Sequence, residues 1–385
     1  MIKIINSKDC CGCQACSQAC SKSCISFGEK KDGFFYPIVD EKECVNCNIC
    51  EKVCPIIQEL QSQKDGSKAH FTSFAAITKD EDSLSKSSSG GIFLEISKRI
   101  IKAGGYVVGC IFDEDYNARH VLSNDINVVK KMRGSKYVQS ITSHIYREVR
   151  AHLKENHKVL FSGTPCQCAA MYHFVRNQSL HENLFLVDFA CHGVPSPIAW
   201  KRYLRSLKWD KITHISMRNK QVSWERFCFV IEGNKNGKNV LSKGIIKNNI
   251  WIRGFLSHIY NRPSCYDCKF RDGHNLSDMT ISDCWGAKSI VKDITEKQCQ
   301  KGVSSVILRT EKGKNLFDDI KDNLWVRHIE YEDVLKTNPA LEHNHKAAFG
   351  THFFFPLMHL NIPFKYSVLV CCAIGEILRI LKISQ

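Results

Sequence analysis

The chain has 385 residues, 43% of them hydrophobic and 24% charged, which allows two or three domains and excludes a disordered or fibrous chain. It carries 54 basic against 39 acidic side chains, a formal charge of +15, and 21 cysteines. The start "MIKIINSKDC" shows no apolar leader and no small-residue cleavage site, so we expect a reducing, cytoplasmic setting and metal ligation rather than a secreted disulfide scaffold. The basic residues are dispersed ("KRIIK", "KKMRGSK", "KRYLRSLK"). They read as a solvated surface that attracts an acidic partner, not as a nucleic-acid-binding arm.

In chain order, residues 1–60 form a cysteine-rich head with an internal repeat of about 34 residues. The first run is Cys10, Cys13, Cys16 and Cys20, spaced C-x2-C-x2-C-x3-C with Ser21 where proline usually follows. The second is Cys44, Cys47, Cys50 and Cys54 with Pro55, the full C-x2-C-x2-C-x3-C-P pattern. Such runs hold two 4Fe-4S clusters, and the fourth cysteine of each run crosses to the other cluster. The spacing therefore assigns Cys10, Cys13, Cys16 and Cys54 to one cluster and Cys44, Cys47, Cys50 and Cys20 to the second. Zinc would favour CxxC pairs at wider spacing. Neighbouring Cys10 and Cys11 cannot both face one cubane, so Cys11 reads as a spare, half-buried side chain; Cys24 is also left over, and no role is assigned to Cys168.

"QELQSQKDGSKAH" follows as a linker, placed at residues 61–70. From Phe71 apolar runs alternate with amphipathic ones. "FTSFAAIT", "GYVVGCIF", "KVLFSG" and "NLFLVDFA" predict strands; "GGIFLEISKRIIKA", "SHIYREVRAHLKE" and "CAAMYHFVRN" predict helices. The expected fold is α+β: a ferredoxin-like head, then an α/β flavin-binding body with a mixed, largely parallel sheet. The body divides into residues 71–210 and 211–345, the second more strand-like ("THISM", "RFCFVIEG", "SSVILRT"). Residues 346–385 form a helical tail. Its segment "YSVLVCCAIGEILRILKI" is too interrupted by charge to span a bilayer and reads as a helix packed on the body, with membrane-surface contact as the alternative.

Four cysteines of the body stand at points where α/β proteins place their sites. Cys166 opens a helix after the strand "KVLFS", and Cys191 ends "NLFLVDFA", at one sheet edge if both strands are parallel. Cys265 and Cys268 form a CxxC pair in "RPSCYDCKF". Together they suffice for a third 4Fe-4S cluster. A zinc site, a nucleophilic Cys166 with His192 as base, and unrelated core cysteines remain as alternatives.

Clusters move single electrons, and chemistry on an organic substrate calls for a two-electron cofactor. "KSSSGG" (86–91) opens an amphipathic helix and suits a phosphate. "RGSKYVQS" (133–140) offers a glycine turn, the cation of Lys136 and the ring of Tyr137. Lys136 is the candidate catalytic residue, because a positive group near N1 of an isoalloxazine favours its reduced anion; an exposed lysine in a turn is the alternative reading. No G-x-G-x-x-G fingerprint occurs, which disfavours a standard NAD site.

The motifs "SSSGG", "GSKYVQS", "FSGTPCQ", "DFACHGVPSP", "RPSCYDCKF" and "SDMTISDCWG", behind a two-cluster head, resemble the coenzyme F-420 hydrogenase/dehydrogenase beta-subunit family in its form fused to an N-terminal ferredoxin domain. The resemblance covers roughly residues 1–310. It implies FAD, with Ser88, Ser89, Gly90, Gly91, Gly134, Ser135, Lys136 and Tyr137 as contacts, and a proximal 4Fe-4S cluster on Cys166, Cys191, Cys265 and Cys268. Arg218 and Lys220 in "MRNKQVSW" match a family stretch that would contact a substrate or cofactor phosphate. Two positions depart from the family pattern: Asn275 replaces an arginine and Cys284 an aromatic, which leaves Asp278 and Asp283 without an assigned role.

These readings converge on an iron–sulfur flavoprotein oxidoreductase. It would exchange electrons with an acidic carrier such as ferredoxin or a redox partner subunit, and act on a small organic substrate. The resemblance implies a deazaflavin-like or sugar-derived substrate, the latter in surface-polysaccharide biosynthesis. The alternative is an electron-transfer subunit without its own substrate, docked on a larger redox enzyme.

Overall fold

The computed structural model describes residues 1–61, 71–245, 248–271 and 275–380; most of the expected linker lies outside them. Three sheets are present among the described residues. In the head, β1 (Ile25–Glu29) and β2 (Phe35–Val39) pair antiparallel, flanked by the short helices Ala15–Ala19, Ile49–Lys52 and Pro55–Gln61.

The body is organised by an eight-stranded sheet. Its strands are β3 (Thr72–Thr78), β4 (Tyr106–Phe112), β5 (Ala118–Ser123), β6 (Val159–Ser162), β7 (Leu184–Phe189), β11 (Met279–Asp283), β12 (Ser304–Leu308) and β13 (Leu324–Ile329). Their spatial order is β13-β3-β12-β11-β7-β6-β4-β5. Only β4–β6, β6–β7 and β7–β11 pair in parallel; every other neighbour pair is antiparallel. The expectation of a largely parallel sheet therefore holds for the four central strands and fails at both flanks. At one flank β5 returns from β4 through a short turn and so runs antiparallel; at the other, β12 and β13 come back from the far end of the body to pair antiparallel with β3. Strands from both sides of residue 210 join this one sheet, which is continuous across the division expected there.

The central strands read as unbroken apolar runs because helices cover both faces. On one face the helix Ile92–Lys102 buries Ile92, Leu94, Ile96 and Ile100, and Glu311–Asp318 adds Leu316 and Phe317. On the other, Ile145–Lys154 and Pro165–Val175 bury Tyr146, Val149, Met171 and Phe174, and the head's Ala15 and Val53 join that core.

The third sheet is antiparallel, β8 (Lys211–Asn219), β9 (Cys228–Lys235) and β10 (Lys238–Ile245). Asn236 and Gly237, both at positive φ (52° and 73°), make the two-residue turn between β9 and β10, the geometry that an Asn-Gly pair favours in hairpins. This sheet shares an aromatic core of Trp200, Tyr203, Phe229 and Trp251 with the C-terminal helix Phe364–Ile380, whose Phe364, Val368 and Cys371 are buried there. The tail is thus packed on the body. No helix among the described residues is long and apolar enough to cross a membrane.

Candidate functional site

The head sets two groups of thiols side by side. Cys20, Cys44, Cys47 and Cys50 line one small cavity together with the left-over Cys24, whose sulfur lies 3.4 Å from that of Cys20. Cys10, Cys13, Cys16 and Cys54 form the other group. Cys16 lies in the field of Cys10 and Cys54, and Cys13 in that of Cys54 and Cys16. Burial, reinforced by these like charges, raises the thiols of Cys16 and Cys54, the latter to about 11. Buried thiols in such proximity ionise together only when a cation compensates them.

The body gathers its own four from three places. Because β6 and β7 are parallel, Cys166 and Cys191 emerge at the same carboxyl edge of the sheet. Thr164 caps the helix Pro165–Val175 in a reciprocal capping box with Gln167, with Pro165 in the first turn; these choices fix the helix start. The Thr164 hydroxyl sits 3.1 Å from the Cys166 sulfur. Cys265 lies in a 3-10 turn (Pro263–Cys265) and Cys268 in the loop beyond. All four line a single cavity. Gly193 at its wall has φ 103°, and a Cβ there would meet Asn261 Nδ2 at 2.7 Å and Cys265 Cβ at 3.3 Å, so the loop after Cys191 closes tightly over the pair. Burial first, then neighbouring thiols, pushes Cys191 up to about 12; burial does the same to Cys268, to about 11.

Cys11 belongs here too. Its side chain lies beside those of Cys166 and Cys13 and lines the body cavity, while Cys10 lies in the head group beside Cys16 and Cys54. Cys11 is half-buried, as expected, and so stands between the two sets of thiols. The docking of the head rests on Arg262, which has no solvent exposure. Its guanidinium donates to Cys10 O (2.6 Å), Gln139 Oε1 (2.9 Å) and Phe35 O (3.0 Å), and lies over the rings of Tyr36 and Phe34. Thr142 adds bonds to Cys13 O and Gln14 Oε1, and Ser196 Oγ donates to Gly33 O.

A second, larger cavity of about 560 Å³ adjoins the first and shares Ser140, Thr164, Gln167, Phe189 and Cys191 with it. That volume is typical of small-molecule and cofactor sites. Ser88, Ser89, Gly91, Gly134, Ser135, Lys136 and Tyr137 line it. Ser135 N donates to Ser88 Oγ (2.8 Å), so the two segments singled out in the sequence meet in space. Gly91 caps the helix Ile92–Lys102 at φ 86°, and a Cβ there would meet Thr78 Cγ2 at 2.5 Å. Gly90 does not line the cavity. Its N–H goes to Ser304 Oγ and its carbonyl accepts from Thr78 N, so it serves close packing against the sheet.

Lys136 lines the cavity, but its ammonium donates to the carbonyls of Lys131, Met132 and Arg133 at 2.8–3.1 Å. It closes the C-terminal end of the helix Ile126–Met132, and burial lowers it to about 8. Arg218 lines the cavity, pairs with Asp283 at 2.7 and 2.9 Å and lies over Phe227. Lys220 does not line it. It donates to the carbonyls of Leu84, Ser89 and Lys301 and props the serine loop from behind; burial lowers it to about 7. Asp278 holds Leu186 N and Lys312 away from the cavity. Asn275 bonds to buried Asp188, at the carboxyl end of β7, and Cys284 is fully buried.

Arg218 Nε and His120 Nδ1 in the large cavity's wall are buried without hydrogen-bond partners. A ligand acceptor atom would satisfy Arg218 Nε, and a ligand donor the Nδ1 of neutral His120, whose Nε2–H is committed to Ser162 O; with the serine loop at a helix N-terminus this fits a phosphate-bearing, aromatic cofactor. Arg262, Gln139, Thr142, His120 and the Cys11–Cys166 contact escaped the sequence reading. The nearest signals were proximity to named motifs: Arg262 three residues before Cys265, Gln139 inside "GSKYVQS".

Residues 156–333 match the family model for the C terminus of the coenzyme F420 hydrogenase/dehydrogenase beta subunit, and residues 9–56 match a 4Fe-4S dicluster domain. The two matches define an iron–sulfur electron-transfer protein of an oxidoreductase family. The chain thus joins a domain similar to the C terminus of the coenzyme F420 hydrogenase/dehydrogenase beta subunit to an N-terminal dicluster domain. Among solved structures, it is similar to a chain of the F420-reducing [NiFe] hydrogenase complex from Methanosarcina barkeri, with 17% identity and a TM-score of 0.48 over 73% of this chain and 92% of that one. No curated protein matches.

Proposed function

We propose that the chain is an iron–sulfur flavoprotein oxidoreductase that passes electrons between two head 4Fe-4S clusters, a proximal 4Fe-4S cluster and FAD, to or from a small organic substrate. The observation that carries this reading is the adjacency of the sites: two thiol groups in the head, a third in the body, and a cofactor-sized cavity sharing a wall with the third. Cys10, Cys13, Cys16 and Cys54 would hold one cluster, Cys20, Cys44, Cys47 and Cys50 the second, and Cys166, Cys191, Cys265 and Cys268 the proximal one. FAD, when bound, supplies the change from one-electron to two-electron chemistry.

The residues of the cavity then have separate tasks. Ser88, Ser89 and Gly91 offer hydroxyls and helix N-terminal amides to phosphate. Tyr137, stacked on Phe255 at 4.6 Å, supplies an aromatic wall, and Lys136 contributes its charge through a fixed position. The substrate would be a small organic molecule, deazaflavin-like or sugar-derived. The dispersed positive charge suits an acidic donor such as ferredoxin or a partner subunit, in a reducing cytoplasm.

Anaerobic purification followed by assay of iron, acid-labile sulfide and released flavin tests the whole reading. We expect about twelve irons and one FAD per chain. About eight irons and no flavin would remove the body site and leave the head. Turnover of a hydride donor or acceptor by the purified chain alone separates an enzyme from an electron-transfer subunit.

A further inference from the structure

At the opposite edge of the sheet from the cysteine cavities lies a cluster that none of this chemistry uses. The helix Ile145–Lys154 ends at His152, and the chain turns back at once. Glu155 caps the helix, Asn156 takes a left-handed conformation (φ 63°), and His157 N donates to His152 O at 3.0 Å. This turn brings His152, Glu155 and His157 together, with one ligand atom from each within 4.8 Å of the others.

Three observations set the cluster apart from a packed helix end. The Nδ1 atoms of His152 and His157 are both closed off from solvent, and neither has a hydrogen-bond partner. Both face one oxygen, Glu155 Oε2, at 3.7 and 3.5 Å, at or beyond the limit of a hydrogen bond. For bonds of about 2.0–2.1 Å to a tetrahedral cation, the edge between two ligand atoms is roughly 3.3–3.4 Å, a few tenths shorter than these separations. Third, the rings are held from behind. Tyr106 stacks on His152 at 4.0 Å and meets His157 edge-on at 5.3 Å, and Tyr106 N is bonded to Lys158 O at 2.9 Å. The side chains are therefore oriented before any ligand arrives.

We propose that His152, Glu155 and His157 form a binding site for one divalent transition-metal cation of the zinc class. Two imidazoles and one carboxylate favour zinc and its neighbours over calcium or magnesium, which prefer oxygen alone. Three protein ligands leave one position for water. The ion would join the helix end to the loop entering β6. The other end of this helix receives the head, through Tyr146 N to Gln18 Oε1 and Arg147 to the carbonyls of Gln18 and Cys20. The site is thus placed to stiffen the element on which the head docks.

The test uses the full-length, iron-loaded protein. It is equilibrated anaerobically with equimolar Zn²⁺, freed of unbound metal on a desalting column, and its zinc and iron are counted by mass spectrometry. We expect about one zinc retained per chain with iron unchanged, and X-ray absorption showing nitrogen and oxygen neighbours at about 2.0–2.1 Å. The double variant His152→Gln/His157→Gln should lose at least nine-tenths of that zinc. Glu155, which is exposed, provides a variant that leaves the packing intact: Glu155→Gln should weaken retention roughly tenfold or more. No zinc on the wild type, equal zinc on all variants, or sulfur neighbours at about 2.3 Å would overturn the assignment.

Discussion

The head and the body collect thiols in opposite ways. The head takes its eight from two runs within 45 residues, and its second group lies open enough that Cys47 is exposed and Cys20 and Cys44 are half-buried. The body takes four from positions spread between 166 and 268, and seats them where two parallel strands end and a 3-10 turn folds back. Local spacing alone preorganises the first kind of site. The second exists only once the sheet, the capped helix and the Gly193 loop are in place. Ligation in the head should therefore tolerate damage to the body, whereas ligation in the body should fail with the fold.

The sharpest way to break that contrast is Cys166→Ser. It should remove about four of twelve irons, leave the head's eight, and abolish electron transfer between head and flavin; a variant that keeps all its iron refutes the body assignment. Next comes Arg262→Met, which cuts the joint between the two regions. Losing its buried bonds to Cys10 O, Phe35 O and Gln139 should cost on the order of 3 kcal/mol in denaturant unfolding, with the head becoming protease-sensitive first. Stability unchanged within experimental error would mean that the head is held elsewhere.

Gly91→Ala sharpens the division inside the body. The left-handed conformation and the contact with Thr78 should cost about 1–2 kcal/mol, and released flavin should fall while iron stays; joint loss of both would merge the two cavities into one site. The smallest effect concerns His120, which burial lowers to about 4. The unfolded imidazole binds a proton near pH 6.5 and the folded one does not, so stability falls as pH drops through 6.5 toward 4. From pH 7 to 5.5 this amounts to about 1 kcal/mol. His120→Gln should flatten the slope of unfolding midpoint against pH by that much, and an unchanged slope would assign the pH dependence to other groups.

The same contrast explains what could be read in advance. The two head runs were legible because ligand spacing is a property of neighbours in the chain. The central strands and their helices were legible because apolar periodicity is local as well. The antiparallel flanks were not, since β12 and β13 return to β3 across more than 200 residues, and no local pattern records direction. Lys136 and Lys220 looked like free cations because their partners are backbone carbonyls, which every sequence contains. Gly90 and Gly91 were indistinguishable as letters. One packs against Ser304 and the other ends in a left-handed cap facing the cavity.

The divergence of Cys10 and Cys11 has a consequence for wiring. One peptide unit separates a side chain of the head group from a side chain touching Cys166. Cys11 stands between Cys13 of the head and Cys166 of the body, so with both pockets loaded as proposed one side chain separates the two sets of ligands. Removing that side chain with Cys11→Ala would keep the C-x2-C-x2-C spacing and every proposed ligand, yet leave a gap in the path between the two regions.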